Sequence, residues 1–133
     1  MSVLLDTHLW LWWSVGDPTL DADHYKGLDR LAAKNALFIS AISLWEAEML
    51  VAKKRIVLNE PFDRWLRKVS SPDYIQVLPL DAEVAIAIHE LPARFHGDPA
   101  DRLIVATAQV HKLAFATFDK GIRKSRLVQL WKP

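Results

Sequence analysis

The sequence predicts an α/β fold in which a short parallel β-sheet is flanked by helices on both faces. Three observations predict it. Short apolar runs of strand length recur along the chain: Val3 to Leu5, Ala36 to Ile39, Tyr74 to Leu78, Leu113 to Phe118 and Leu127 to Trp131. Segments with helical spacing lie between them: His8 to Ser14, Leu20 to Ala33, Ala41 to Lys54, Pro61 to Val69, Asp81 to Leu91 and Pro99 to Lys112. The runs are apolar without polar alternation, as strands covered on both faces require. With 133 residues and no internal repeat, low-complexity tract or linker, residues 1–133 read as one domain. A chain of that size buries roughly two thirds of its unfolded surface.

Taken in order, Val3-Leu4-Leu5 ends at Asp6 and leads into the first helix. Asp17-Pro18 reads as N-cap and first residue of the next. The second apolar run ends at Ser40, ahead of the helix that carries Glu46. At 100° per residue, Ile42, Leu44, Trp45, Met49, Leu50 and Val51 cover nearly the whole circumference of that helix, which predicts a buried one. Asp81 caps a later helix, and Asp98-Pro99-Ala100-Asp101 has the form of a capping box with proline at the first position. Asp119 follows the run Leu113 to Phe118.

Composition excludes several classes. A chain that is 51% hydrophobic and 25% charged is ordinary globular protein, which argues against disorder. It has no cysteine, so thiol nucleophiles, thiolate zinc sites and iron–sulfur clusters are ruled out, and any metal is held by oxygen or nitrogen. Asp6 and His8 interrupt the place where a secretory signal would begin, and no run approaches the roughly 18 apolar residues of a membrane span. A cytoplasmic protein with no membrane partner is expected. The net charge of +1 hides a segregation: residues 1–30 hold five acids and two bases, residues 112–133 six bases and one acid.

In open parallel sheets, ligands bind beyond the carboxyl ends of the strands. Asp6, Asp119, Glu46 and Asp101 all fall at or near that edge. Glu46 has Ile42, Met49 and Leu50 at helical neighbour positions and no Lys or Arg there to pair with it. Glu48 is equally unpaired within the helix but points about 200° away, so the two cannot serve one site, and periodicity does not choose between them. Asp101 heads an apolar stripe of Ile104, Val105 and Ala108, although an acid at the third position of a capped helix also has a capping role. For Asp6 and Asp119 the structural alternative is a turn or cap acid after a strand. Taken together, carboxylates converging on one edge repel unless a cation neutralises them, and oxygen ligation without Cys or His suits Mg²⁺ or Mn²⁺. The histidines give no zinc spacing: His89 and His96 are seven apart and read as surface or loop residues. Carboxylate-held Mg²⁺ is the apparatus of phosphodiester cleavage, which points to a nuclease. Lys53, Lys54, Arg55, Arg102, Lys120, Arg123, Lys124 and Arg126 are the candidates for gripping the nucleic-acid backbone.

At these residues the sequence resembles the PIN-domain ribonucleases, and among them the VapC-type toxins of prokaryotic toxin–antitoxin pairs. The resembling segments are Leu4-Leu5-Asp6-Thr7-His8 with Leu11-Trp12-Trp13, Ser40 to Glu46, Asp98 to Ala108, Thr117-Phe118-Asp119 and Leu130-Trp131, in the family's order along nearly the whole chain. The resemblance implies a PIN-like fold and Mg²⁺- or Mn²⁺-dependent endoribonuclease activity. It also implies an acidic site of Asp6, Glu46, Asp101 and Asp119, with Thr117 helping to orient it. It selects Glu46 over Glu48 and favours Asp101 over Asp98, which becomes a cap or an outer ligand. It further implies neutralisation by an antitoxin protein, in a homodimer or larger assembly. Of the six tryptophans, Trp12 and Trp65 are expected to contribute to a groove for an antitoxin segment. Two competing readings are a receiver-type signalling module, which needs an acid pair after the first strand that Asp6-Thr7 lacks, and a non-catalytic PIN scaffold acting only through partners.

Overall fold

Successive side chains of a strand point to opposite faces of its sheet, so the three residues Val3-Leu4-Leu5, all fully buried, must serve two cores. In the computed structural model, which describes residues 1–95 and 97–133, they do so. Strands β1 (Val3–Leu5), β2 (Leu37–Ser40), β3 (Gln76–Leu78) and β4 (Ala114–Ala116) form one sheet in the order β3-β2-β1-β4, with every pairing parallel. Helices α1 (Thr7–Val15) and α2 (Ala22–Ala33) follow β1, and α3 (Ala41–Ala52) and α4 (Phe62–Val69) follow β2. Helices α5 (Ala82–Glu90) and α6 (Pro99–His111) precede β4, and α7 (Lys120–Ser125) follows it. His96 lies outside the described residues.

Val3, Leu5, Leu37, Ile39, Ala114 and Ala116 enter one core, with Leu9, Trp10 and Leu11 of α1, Leu28 of α2 and Trp65 of α4. Leu4 and Phe115, paired in register across β1 and β4, enter the other, with Val84 of α5, Leu103, Ile104 and Val105 of α6, and Ile122 of α7. The expected parallel sheet covered on both faces is therefore present. Among the described residues no helix is long and apolar enough to cross a membrane.

Three local expectations are corrected. Asp17 does not cap a helix: its Oδ1 accepts the Thr19 N–H and hydroxyl at 2.8 and 2.6 Å, closing a local turn, and α2 starts later under Asp21, which accepts the His24 N–H at 2.8 Å. The run Leu127 to Trp131 is not a full strand but a single bridge from Leu130 to Phe115. Its Leu127 N–H and carbonyl are taken by the Ser125 hydroxyl and the Gln109 side chain, so they are spent before a ladder can form. Helix α3 is not buried all round: Ser43 and Ala47 are buried, whereas Trp45 is 55% exposed. Helix α7 carries no sequence periodicity, because six residues with one buried aliphatic side chain, Ile122, are too few to show any.

Candidate functional site

The strand order explains where the acids meet. From β1 the chain builds outward to β2 and β3, then returns to place β4 on the other side of β1, so the connections diverge between β1 and β4. That divergence opens a crevice at the carboxyl ends of the two strands. Asp6 is the first residue past β1, and its N–H donates to the Ala116 carbonyl of β4 at 2.9 Å. Thr117 and Asp119 follow β4 directly. Asp6, Glu46, Asp98, Asp101 and Asp119 all line one pocket of about 470 Å³, together with Thr7, His8, Leu9, Trp12 and Phe118, and no Lys or Arg is among these described lining residues.

Each acid is held by its local fold. Asp6 accepts the Thr7 N–H on Oδ1 at 2.9 Å and the Thr117 hydroxyl on Oδ2 at 2.6 Å, so both its oxygens are fixed. Thr117 in turn accepts the Asp119 N–H at 3.0 Å, and Asp119 Oδ1 accepts the Ile122 N–H at 2.9 Å as the cap of α7. Glu46 is held through a chain of hydroxyls. The Thr7 hydroxyl donates to Glu46 Oε1 at 2.5 Å and lies 2.7 Å from the Ser43 hydroxyl. Thr7 has one proton to give, so Ser43 must be the donor to Thr7. Ser43 and Glu46 sit three apart on the same side of α3, whereas Glu48 is exposed. Asp98 accepts the Ala100 and Asp101 N–H groups at 2.9 and 3.3 Å, which makes it the cap of α6.

The electrostatics carry the mark of crowded carboxylates. Burial pushes the Asp101 carboxyl from its ordinary value of 3.8 up to about 7, helped by the charges of Asp6, Asp98, Asp119 and Glu46. Asp6 is also raised, by burial and by Asp119, against the lowering effect of its bonds from Thr117 and Thr7. Glu46 is raised by burial and by Asp6 and Asp98, against its bond from Thr7. Oxygen donors that hold one another protonated are the chemistry a hard divalent cation relieves, so the donor set fits Mg²⁺ or Mn²⁺. Among the described residues no three His, Cys, Asp or Glu side chains already stand close enough together to hold an ion.

Residues 3–126 match the PIN domain. The chain belongs to the PIN-domain family. Ribonuclease VapC22 of Mycobacterium tuberculosis is 34% identical to this PIN domain over 125 residues, which cover 94% of the chain and 92% of the relative. The solved structure of FitAcB from Neisseria gonorrhoeae superposes with a TM-score of 0.72 at 27% identity, over 98% of this chain and 97% of that one. VapBC2 from Rickettsia felis, bound to a DNA fragment from its promoter, superposes with a TM-score of 0.74 at 20% identity over 98% of both chains, which speaks for the fold. The family resemblance and the PIN-like fold expected from the sequence are thus both met.

The basic and aromatic expectations divide. Lys120 and Arg123 of this PIN domain line a second cavity beside the acids, and the Arg123 guanidinium donates to the Thr117 carbonyl at 3.0 Å. Arg102 instead donates to the Phe95 and Ile88 carbonyls at 3.3 and 3.4 Å, tying α6 to the segment before it. Lys53 and Lys54 lie past the end of α3, about 10 Å along its axis from Glu46, and do not line the pocket. Trp12 is half-buried on the pocket wall. Trp65 is 4% exposed and packs inside the core, bordering a separate pocket with Gly16, Asn59 and Lys68 rather than the acidic one. Sequence reasoning assigned no role to Thr7 or Ser43; the placing of Ser43 three residues before Glu46 was the available signal.

Proposed function

We propose that this chain is a metal-dependent endoribonuclease, the toxin of a toxin–antitoxin pair acting in the cytoplasm, with Mg²⁺ or Mn²⁺ held by Asp6, Glu46, Asp101 and Asp119. Asp98 caps α6 beside them and serves as an outer member of the set. The observation that carries the reading is the meeting of five carboxylates from four segments of the chain in one pocket lined by no Lys or Arg among the described residues. Such a pocket repels an RNA phosphate until a cation is present.

A divalent ion there supplies Lewis-acid polarisation of a phosphodiester and a lowered pKa for water. The residues of the chain prepare the place for it. Thr117 and the Thr7 N–H fix the two oxygens of Asp6, and Thr117 also ties Asp119 to the same point. The Ser43 to Thr7 to Glu46 hydroxyl chain orients Glu46 from α3. Lys120 and Arg123 attract the strand toward the acids from the adjoining cavity.

The relatives' names support the biological role: one is a ribonuclease, and a toxin–antitoxin complex from Klebsiella pneumoniae shares the fold, with a TM-score of 0.66 at 21% identity. The partner is accordingly an antitoxin protein, in a homodimer or larger assembly. Trp12, on the pocket wall, is placed where a segment covering the acids would touch it. The test is inducible expression in a bacterial host without antitoxin. The native chain arrests growth, and Asp6→Asn at equal soluble level does not; arrest by both overturns the reading.

A further inference from the structure

The acidic pocket shares Leu9 and Phe118 with a second cavity of about 540 Å³, whose other walls include His24 and Trp131 and whose rim carries Lys120 and Arg123. Phe118 stands on the ridge between the two and is 43% exposed, although the four residues before it are all buried. Its ring lies 6.0 Å from that of Trp12 on the acidic side and 5.2 Å from that of His24 on the other, and His24 is 6.1 Å from Trp131. A row of rings therefore leads out of the acidic pocket into the neighbouring cavity.

The far wall is built in. Trp131 is 9% exposed, and a Cβ on Gly27 would lie 2.8 Å from its ring, so the absence of a side chain at Gly27 lets the indole seat against α2. The His24 imidazole is held through Nδ1 by Asp21 at 2.8 Å. Arg123 is tethered to the Thr117 carbonyl, next to the hydroxyl that binds Asp6.

We propose that this second cavity is a nucleobase subsite, which takes an unpaired base of a single-stranded RNA stacked on Phe118 while Lys120 and Arg123 hold its phosphate. The proposal rests on the ribonuclease reading and names the substrate class of that site. Three features favour a nucleotide. The exposed Phe118 ring offers a face on which any base stacks. The cations complement phosphate and stand beside the acids rather than among them. The shared wall places a base here while the backbone crosses the acidic pocket. A duplex has its bases stacked and paired, and so cannot fill the cavity without unpairing.

The test uses the full chain carrying Asp6→Asn, so that cleavage does not intervene, titrated in Mg²⁺ into single-stranded RNA oligonucleotides with 2-aminopurine at one position at a time. Expected is strong quenching at one position, with Phe118→Ala removing the quench and weakening binding about tenfold, the loss typical of one stacked base. An abasic nucleotide at that position should weaken binding equally and add nothing to Phe118→Ala. The chain with native Asp6 is assayed on the same oligonucleotides for cleavage. Cleavage accompanied by unchanged affinity in Phe118→Ala overturns the subsite alone. A Phe118-dependent quench without any cleavage overturns the ribonuclease reading alone, and no RNA binding overturns both. Loss of antitoxin binding in Phe118→Ala with RNA affinity intact assigns the cavity to a protein segment and overturns the proposal.

Discussion

The Thr117 hydroxyl donates to Asp6 Oδ2 at 2.6 Å and accepts the Asp119 N–H at 3.0 Å, so one side chain couples the acids that follow β1 and β4. A hydrogen bond to a charged group contributes about 1.5 to 3 kcal/mol. Thr117→Val should therefore lower kcat by roughly tenfold to 150-fold, mostly without raising KM for RNA. Thr117→Ser should restore most of it. Equal loss in Val and Ser, or loss of folding in both by circular dichroism, contradicts an orienting hydroxyl.

The chain from Ser43 through Thr7 to Glu46 makes a parallel prediction for ion binding. Thr7 is 2% exposed, and Thr7→Val keeps its shape while removing the donor to Glu46. Groups that orient metal ligands typically contribute 10- to 100-fold in affinity, and a weakening of that order is expected. Calorimetric titration with Mn²⁺ measures it; unchanged affinity removes Glu46 from the ligand set.

Stability should depend on pH in a definite direction. Asp101 titrates near 7 in the folded chain against an ordinary 3.8, and Asp6 and Glu46 are raised as well. A carboxyl that holds its proton more tightly when folded contributes stability in full below its ordinary pKa, and loses it as pH rises through the folded value. Without divalent metal the chain should thus become less stable between about pH 4 and 7 on account of these groups. Asp101→Asn should be more stable than the native chain at pH 8 by on the order of 1 to 2 kcal/mol, once solvent screening is allowed for. Adding Mg²⁺ should raise the native Tm more at pH 8 than at pH 5. Thermal melts in EDTA and in Mg²⁺ check both, and a native chain more stable at pH 8 than at pH 5 in EDTA contradicts the crowded-carboxylate description.

Two core substitutions separate packing from partner contact. Trp65→Ala should cost about 3 to 5 kcal/mol by emptying its core site, and any loss of antitoxin binding should follow the loss of fold. Gly27→Ala, which in an open helix gains about 1 kcal/mol, should here lose stability because its methyl meets the Trp131 ring at 2.8 Å. Urea melts decide both, and a stabilised Gly27→Ala means that Trp131 is not seated against α2.

The sequence made visible what local pattern encodes. Asp6 and Asp119 stood out because each follows a buried apolar run, and Asp98 and Asp81 because caps have short signatures. The crevice between β1 and β4 was not visible as such, since the strand order depends on pairings across more than a hundred residues. Glu46 and Glu48 were indistinguishable by periodicity because α3 touches both cores, Ile42 packing toward one and Leu44 and Ala47 toward the other. The same breadth of apolar surface suggested burial all round, although Trp45 is open. The contacts of Thr7 with Ser43 and with Glu46 join positions 36 and 39 apart, beyond any local pattern.

The most direct test of the central claim is RNA cleavage by the purified, antitoxin-free chain, first in EDTA and then as Mg²⁺ is added in excess. No turnover is expected in EDTA, with recovery in Mg²⁺, and no recovery in Asp6→Asn or Asp101→Asn at any Mg²⁺ concentration. Cleavage that persists in EDTA, or full activity in Asp6→Asn with Mg²⁺, contradicts that claim.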